Sequence, residues 1–184
     1  KLQTKVLIES FKNFDEFYKS TSIFLYEKSQ MLKKIQRKKI KDKKIKWISN
    51  FKKIKKGPII FIGNEFFDAI PIKQFENKNG TIYEKYVELG KNNSLKISLK
   101  KTNNKKTFKK FKTLEKLSFI EFPEAGFKEL DVITKKIKKL GGGLLLIDYG
   151  YTNPQNKDTL QSVLKKKKNN IFNNIGVADV TSLV

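Results

Sequence analysis

Hydrophobic and polar positions follow two different rhythms along the chain. Apolar residues recur at helical spacing in three segments, which predicts helices over residues 6–17, 30–40 and 127–140. Four short runs are almost continuously apolar, which predicts strands over residues 22–26, 45–48, 59–62 and 144–147. Continuous apolarity is typical of strands that are covered on both faces, as in a parallel sheet between helices. We therefore expect an α/β fold with a mostly parallel sheet.

The middle of the chain has the pattern of an antiparallel hairpin. Residues 81–89 and 95–99 alternate between apolar and polar side chains, and a Gly-Lys-Asn-Asn turn separates them. This alternation predicts a hairpin with one face in water, which extends or flanks the parallel sheet. We expect it to be an insertion over about residues 76–120 within a single domain of residues 1–184. The lysine-rich residues 100–112 are predicted to be an exposed loop or edge.

The composition of the chain excludes several kinds of chemistry. The 184 residues are 38% hydrophobic and include no cysteine and no histidine. Disulfides, thiol nucleophiles, histidine bases and ordinary zinc sites are therefore excluded, and acid–base chemistry falls to Asp, Glu, Tyr or Lys. No apolar run approaches the roughly 20 residues that cross a bilayer, so we expect no membrane span.

The net charge of +23 suggests a nucleic-acid partner at first sight. Arg37 is the only arginine among the 41 cations, however, and bidentate recognition of bases and phosphates favours arginine. The lysines also occur in nearly every segment rather than in one aromatic-rich patch. We therefore expect a solvated basic surface and no nucleic-acid partner; a basic nucleic-acid-binding module is kept as an alternative.

Polar residues stand where three of the predicted strands end. Glu27 follows the first strand, Asn64 and Glu65 follow the third, and Asp148 follows the fourth. Ligands of open parallel sheets bind outside the carboxyl ends of the strands, where an acid can accept hydrogen bonds from ribose hydroxyls. These positions favour a site for a nucleotide-like cofactor. The alternative for each acid is a structural role as a helix cap or in a turn.

Five segments of the chain occur in an order and spacing that one protein family shares. They are IFLYEKSQMLKKIQ, GPIIFIGNEFFDAIPIKQF, GGGLLLIDYGY, DTLQSV and GVADVT. The specific parts are the Asn-Glu-x-x-Asp-Ala-x-Pro block that begins at Asn64 and the Asp-Tyr-Gly block that begins at Asp148. The chain resembles the MidA-like S-adenosylmethionine-dependent methyltransferases, which include a mitochondrial complex I assembly factor, a protein arginine methyltransferase. The resemblance implies a Rossmann-like class I methyltransferase sheet.

The resemblance also implies a cofactor and a substrate. S-adenosyl-L-methionine would be the cofactor, with Glu27 on its ribose and Asn64 beside it. The catalytic group would be Asn64, Glu65 and Asp68, because carboxylates can orient a guanidinium and accept its proton. The substrate, an arginine side chain of a protein, would be contacted by Glu65, Asp68, Asp148 and Tyr149. The structural alternatives are that Asp68 caps a helix, that Glu65 bonds the backbone and that Asp148 stabilises the Tyr149-Gly150 turn.

Two departures from the family pattern accompany the resemblance. The glycine-rich loop that cradles the methionine part of the cofactor should precede Lys1, and Lys165 to Lys168 stand near the position of the family's histidine. The resemblance therefore implies that residues 1–184 are an internal part of a methyltransferase, inactive when isolated, or a degenerate copy. A non-catalytic assembly factor with a methyltransferase fold is the main alternative. The expected location is the cytoplasm, with the mitochondrial matrix as the alternative.

Overall fold

The computed structural model describes residues 2–68, 70–103, 108, 111, 114–153 and 155–183. It forms two compact units, a first unit of Lys1–Gly57 and a second unit of Pro58–Val184. Each unit contains helical segments and one pair of parallel strands, as expected for an α/β protein. The four predicted strands form two separate parallel pairs, however, and not the one mostly parallel sheet that was expected. No helix among these described residues is long and apolar enough to cross a membrane.

The first unit consists of helices around one parallel strand pair. Its elements are α1 (Leu2–Lys12), α2 (Asp15–Ser20), β1 (Ile23–Tyr26), α3 (Gln30–Lys39), β2 (Ile45–Ile48) and a 3₁₀ turn at Phe51–Lys53. β1 and β2 pair in parallel, with Ile23 opposite Ile45. Both predicted strands are confirmed. The core of this unit contains Ile8, Ile40 and Ile45.

The predicted helix over residues 6–17 is wrong, because the chain forms two helices there. The N–H groups of Asn13 and Phe14 bond carbonyls only three residues back, at 3.2 and 3.1 Å, which tightens and ends α1. Asp15 and Glu16 then supply negative charge to the first turn of α2, where the helix dipole favours it. Asp15 and Glu16 therefore mark the start of a second helix, although the helical spacing of apolar residues continues through this position.

Helix α3 confirms its prediction within one residue but buries an unexpected side chain. The Ser29 hydroxyl caps the helix by accepting a hydrogen bond from the Leu32 N–H at 3.2 Å. Lys33 is only 6% exposed, although a lysine on an amphipathic helix usually faces water. Its ammonium group donates to the Ser49 hydroxyl, which supplies the partner that a buried charge needs. The neighbouring Leu32 is exposed.

The second unit combines a parallel strand pair with two antiparallel sheets. Its elements are β3 (Ile59–Asn64), β4 (Lys73–Lys78), β5 (Thr81–Leu89), β6 (Leu95–Lys101), β7 (Phe119–Phe122), α4 (Glu124–Leu140), β8 (Gly142–Ile147), β9 (Gln161–Leu164), β10 (Lys167–Asn169) and β11 (Asp179–Thr181). β3 and β8 pair in parallel from Ile59 opposite Gly142 to Asn64 opposite Ile147. α4 packs against both strands. The third and fourth predicted strands and the predicted third helix are therefore confirmed.

The antiparallel part of the second unit is larger than the single hairpin predicted. β5 and β6 form that hairpin, and β4 and β7 extend it to a four-stranded sheet in the order β6-β5-β4-β7. β10, β9 and β11 form a separate three-stranded sheet. The core of the four-stranded sheet is aromatic, with Phe75 and Phe108 in edge contact at 4.9 Å between ring centroids.

The lysine-rich residues 100–112 depart from the prediction of an exposed loop at one position. Phe108 is 2% exposed and packs between Phe75 and Phe122, so it belongs to the core. Residues 104–107, 109–110 and 112 of this stretch lie outside the described residues. Phe108 therefore packs into the core of the sheet, although the lysines around it in the sequence predicted an exposed position.

Candidate functional site

Two parallel strands end side by side at the predicted site. Asn64 at the end of β3 lies opposite Ile147 at the end of β8. The N–H of Glu65 donates to the Ile147 carbonyl at 2.8 Å and continues the ladder by one residue. The segments that begin at Glu65 and Asp148 therefore leave the sheet together, at the carboxyl edge where parallel sheets bind ligands.

Asp148 fixes the chain that follows β3. One carboxylate oxygen accepts a hydrogen bond from the Phe67 N–H at 2.7 Å, and the other accepts from the Tyr149 N–H at 2.9 Å. Bonds from backbone N–H groups to a carboxylate are charge-assisted and about twice as strong as neutral ones. The bond to the Tyr149 N–H is the contact expected if Asp148 stabilises the Tyr149-Gly150 turn. A contact between Asp148 and a substrate stays a prediction.

Glu65 presents a carboxylate in a constrained backbone conformation. Its φ is +49°, a left-handed conformation that a residue other than glycine adopts at a cost of about 1–3 kcal/mol. Its Oε1 atom accepts a hydrogen bond from the Tyr149 hydroxyl at 3.3 Å, while the side chain stays exposed. The two motif blocks therefore meet through Glu65 and Tyr149. A carboxylate that is held at one oxygen and open to solvent can bind a cation.

The aromatic pair in the first motif anchors this segment. The rings of Phe66 and Phe67 lie edge to face, with their centroids 5.0 Å apart. A Cβ atom at Gly63 would lie 3.2 Å from the Cβ of Phe66, and one at Gly126 would lie 3.1 Å from the Phe67 ring. The missing side chain at Gly63 therefore lets Phe66 pack closely on β3, and the missing side chain at Gly126 lets Phe67 pack closely on α4. Phe66 and Phe67 therefore have a packing role in this segment.

Asp68 lies apart from a helix start and beside a cleft. Residues 70–72, the next described residues after Asp68, are not helical, so the structure shows no helix start for Asp68 to cap. The left-handed φ of Glu65 turns the chain, and the Asp68 carbonyl accepts a hydrogen bond from the Ser182 N–H at 3.4 Å. Asp68 lines a cleft of about 420 Å³ together with residues of β4, β5, β6 and β11. This volume falls within the usual range for ligand sites.

A polar network that the sequence analysis missed lies along this cleft. The Gln74 side-chain amide donates to Asp158 at 2.6 Å and to Glu121 at 2.8 Å. The Lys85 ammonium donates to the second Asp158 oxygen at 2.9 Å. Burial raises the pKa of the Asp158 carboxyl, but the hydrogen bonds from Lys85 and Gln74 outweigh burial and lower it. The only sequence signal for Asp158 was its place at the start of the DTLQSV segment.

The lowered pKa of Asp158 predicts an acid-sensitive contact. A carboxyl whose pKa is lower in the folded state stabilises the fold above its unfolded pKa of about 3.9 and loses that effect as the pH falls through the folded pKa. We expect Asp158→Asn to lose less unfolding free energy than the wild type between about pH 6 and about pH 3. Urea unfolding at both pH values measures this difference. Asp131→Asn, which removes an exposed pair with Lys135 on α4, is the control. Equal acid sensitivity in wild type and Asp158→Asn would contradict the prediction.

Glu27 lies at the carboxyl end of β1 in the first unit. Its N–H donates to the Ile48 carbonyl at 3.0 Å, which continues the β1–β2 ladder. One carboxylate oxygen accepts from the Ser29 N–H at 2.9 Å, and the other accepts from the Gln36 amide at 3.0 Å. Each carboxylate oxygen has two acceptor positions, so Glu27 can still accept hydrogen bonds from ribose hydroxyls. Glu27 is therefore oriented by its neighbours, and its role toward a cofactor stays a prediction.

The described residues give no sign of a metal centre. Across residues 2–68, 70–103, 108, 111, 114–153 and 155–183, no group of three or more acidic, histidine or cysteine side chains is placed to hold an ion. The candidate site consists of one amide, one tyrosine and carboxylates, with Asn64, Glu65, Asp148 and Tyr149 brought together at one sheet edge. These groups can bind and orient a cationic side chain and accept a proton from it.

A comparison with protein-family models decides the family of this chain. One model, described as "Putative S-adenosyl-L-methionine-dependent methyltransferase", matches residues 2–184. The chain belongs to this methyltransferase family. The match runs through both compact units and includes both motif blocks.

Curated relatives from animals match three quarters of the chain. The "Protein arginine methyltransferase NDUFAF7 homolog, mitochondrial" of Caenorhabditis elegans is 31% identical over 143 residues, which are 75% of this chain and 33% of the relative. "Protein arginine methyltransferase NDUFAF7, mitochondrial" is 26% identical in Danio rerio and 24% in Rattus norvegicus, over 142 and 140 residues. The chain matches about a third of the length of these relatives.

Two solved structures share the fold. One is a COG1565 superfamily member from Burkholderia thailandensis bound to S-adenosyl-homocysteine, with a TM-score of 0.71 over 89% of this chain and 45% of that chain. A native structure from the same superfamily and organism gives a TM-score of 0.72 over 89% and 46%. Both are 16% identical in sequence, a level at which the likeness concerns the fold alone. The predicted Rossmann-like methyltransferase fold is confirmed.

Proposed function

We propose that the protein transfers a methyl group from S-adenosyl-L-methionine to an arginine side chain of a protein substrate. The observation that carries the proposal is the exposed Glu65 carboxylate, which the Tyr149 hydroxyl holds at the carboxyl edge of β3 and β8. The family of the chain and the arginine methyltransferase names of its relatives support the reaction class. The relatives' mitochondrial names support the mitochondrial matrix rather than the cytoplasm as the location.

Each predicted site residue has a part in this proposal. The bound cofactor supplies an electrophilic methyl group. Glu27 holds the cofactor ribose through carboxylate positions that Ser29 and Gln36 leave open. Asn64 orients the cofactor or the substrate through its amide. We propose that both units belong to one methyltransferase domain, because the family model runs through both.

The substrate's own chemistry explains the need for carboxylates. An arginine guanidinium has a pKa far above neutral and stays charged in water, so its nitrogen is a poor nucleophile. Glu65 would accept hydrogen bonds from the guanidinium, orient one nitrogen toward the cofactor and take the proton that this nitrogen releases as it is methylated. Tyr149 keeps Glu65 in place, and Asp68 pairs with the same cation from the side of the cleft. Asp148 positions the segment through its bonds to Phe67 and Tyr149.

Cofactor binding tests the first half of the proposal. In the natural protein that contains this chain, we expect Glu27→Ala to weaken S-adenosyl-homocysteine binding about tenfold, because each hydrogen bond to a charged group contributes about 1.5–3 kcal/mol. Titration calorimetry measures the affinity. Glu16→Ala, which removes an exposed acid of α2, is the matched control and should bind like the wild type. Unchanged affinity in Glu27→Ala would remove Glu27 from the site. A natural protein without measurable affinity would favour the non-catalytic assembly factor.

A further inference from the structure

The cleft beside Asp68 has an exposed apolar floor. Val87 on β5 and Ile97 on β6 are direct cross-strand partners, and both line the cleft. Their side chains are 58% and 47% exposed, although they form a contiguous apolar pair on a sheet. Val180 on β11, also exposed, lines the same cleft. Adjoining exposed apolar side chains mark a surface for a ligand or partner, whereas single ones are ordinary.

The charges of this cleft differ from those of the chain as a whole. The chain carries a net charge of +23, but the cleft is lined by an acid, Asp68. Lys85, the lysine among the described lining residues, forms an ion pair with Asp158 at 2.9 Å. Nearby on β4, Lys73 is paired with Glu84 at 3.4 Å and with Glu124 at 3.1 Å. The cleft therefore offers a cationic segment an acidic position within a surface that otherwise repels it.

The first motif block links the candidate site to the cleft along the chain. Glu65 at the end of β3 and Asp68 at the cleft are three residues apart, and Phe66 and Phe67 fix the segment between them. The bond from the Ser182 N–H to the Asp68 carbonyl joins the segment to the chain just after β11. A polypeptide with an arginine at Glu65 can therefore continue past Asp68 along the apolar floor.

We propose that this cleft is the substrate-binding groove, in which an apolar residue that flanks the target arginine packs on Val87 and Ile97. The occupant is an extended segment of the protein substrate, because the groove combines an acidic entrance with an apolar floor. This inference rests on the proposed arginine methylation and adds a sequence preference to it. Substrates with apolar residues beside the arginine are preferred to substrates with serine there.

The test uses two fluorescent peptides and the natural protein that contains this chain. One peptide carries an arginine between two phenylalanines, and the other carries the same arginine between two serines. Fluorescence anisotropy measures the affinity for each in the presence of S-adenosyl-homocysteine. We expect the phenylalanine peptide to bind about tenfold more tightly, since burying a large apolar side chain contributes about 1.5–3 kcal/mol.

Substitutions at the cleft test whether the cleft causes this preference for flanking phenylalanine. The double variant Val87→Thr, Ile97→Thr should lose most of the preference, because threonine keeps the strand-forming shape but adds a polar group. Val132→Thr makes the same change at an exposed valine of α4 that does not line the cleft, and should keep the preference. Thermal unfolding checks that all three proteins fold. A preference that survives the double substitution, or no preference in the wild type, overturns the groove.

This experiment can refute the proposed groove and the proposed reaction independently of each other. Methyl transfer to the same two peptides is measured in parallel with the affinity. Arginine methylation that is indifferent to Val87→Thr, Ile97→Thr and to the flanking residues overturns the groove and leaves the reaction standing. Cleft-dependent binding without methylation of either peptide overturns the proposed reaction instead, and with it the assignment of the bound peptide as a substrate.

Discussion

Replacing Gly142 with alanine should unfold the second unit, whereas alanine at Gly143 should cost almost nothing. Gly142 begins β8 with a φ of +121°, and a Cβ atom there would overlap the Ile59 carbonyl oxygen of β3. Gly142 also lies opposite Ile59 in the parallel ladder, so the overlap falls on the pairing itself. We expect a loss of more than about 4 kcal/mol, the range of severe backbone or packing conflicts and a large share of the stability of a domain.

Gly143 is the matched control for this substitution. A Cβ atom at Gly143 would have no neighbouring atom within 4 Å, although it adjoins Gly142 in the same strand. Amide hydrogen exchange in β3 and β8 measures the effect where it occurs. We expect Gly142→Ala to lose protection in both strands and Gly143→Ala to keep it. Equal protection in the two variants would show that β3 and β8 are not paired in this register.

Replacing Glu65 with glutamine should remove nearly all methyl transfer while it leaves cofactor affinity unchanged. The amide has almost the same shape and can still accept the hydrogen bond from the Tyr149 hydroxyl. It carries no charge to pair with a guanidinium and cannot accept its proton. General-base catalysis contributes about 10²–10⁴-fold, so we expect a loss of rate in that range. Transfer of an isotopically labelled methyl group, with calorimetry on the same samples, measures both quantities.

Two further variants serve as a partial-loss comparison and as a control for Glu65→Gln. Tyr149→Phe removes the group that holds Glu65 and should raise the substrate KM more than it lowers kcat. Asp131→Asn removes an exposed acid of α4 that pairs with Lys135, and should leave both constants unchanged. A wild-type rate in Glu65→Gln would exclude Glu65 as the base.

The parts of the fold that depend on local pattern were predictable from the sequence. The four parallel strands, the hairpin of β5 and β6, and α4 all follow from apolar spacing within one short segment. The Pro123 and Gly141 positions also mark the ends of α4 correctly, since Gly141 has a φ of +75° that favours glycine. Local spacing and backbone preference determine such elements, so the sequence alone contains enough information.

The parts that depend on distant partners were not predictable in this way. Lys33 is buried because Ser49, 16 residues further on, accepts its hydrogen bond. The hydrogen bond between Gln74 and Asp158 joins residues 84 positions apart. β7 joins β4 across a long stretch of intervening chain, which turned a predicted hairpin into a four-stranded sheet. No periodicity in a single sequence encodes which distant side chain will satisfy a polar group.

The candidate site shows the same division. The meeting of Asn64 and Glu65 with Asp148 and Tyr149 follows from the rule that neighbouring parallel strands end at one edge. The direction of Asp68 does not follow from it, because the left-handed φ of Glu65 turns the chain toward the cleft. That backbone angle is unusual for glutamate, and no residue preference would have indicated it.

The most direct test of the central claim is to locate the methyl group that the natural protein transfers. The protein is incubated with isotopically labelled S-adenosyl-L-methionine and arginine-containing protein substrates, and tandem mass spectrometry then identifies the labelled atom. We predict the label on a side-chain nitrogen of arginine, with nearly all of it lost in Glu65→Gln. Label on another residue type, or no label on arginine from a protein that binds the cofactor, would contradict the assignment of Glu65 as the group that orients and deprotonates an arginine.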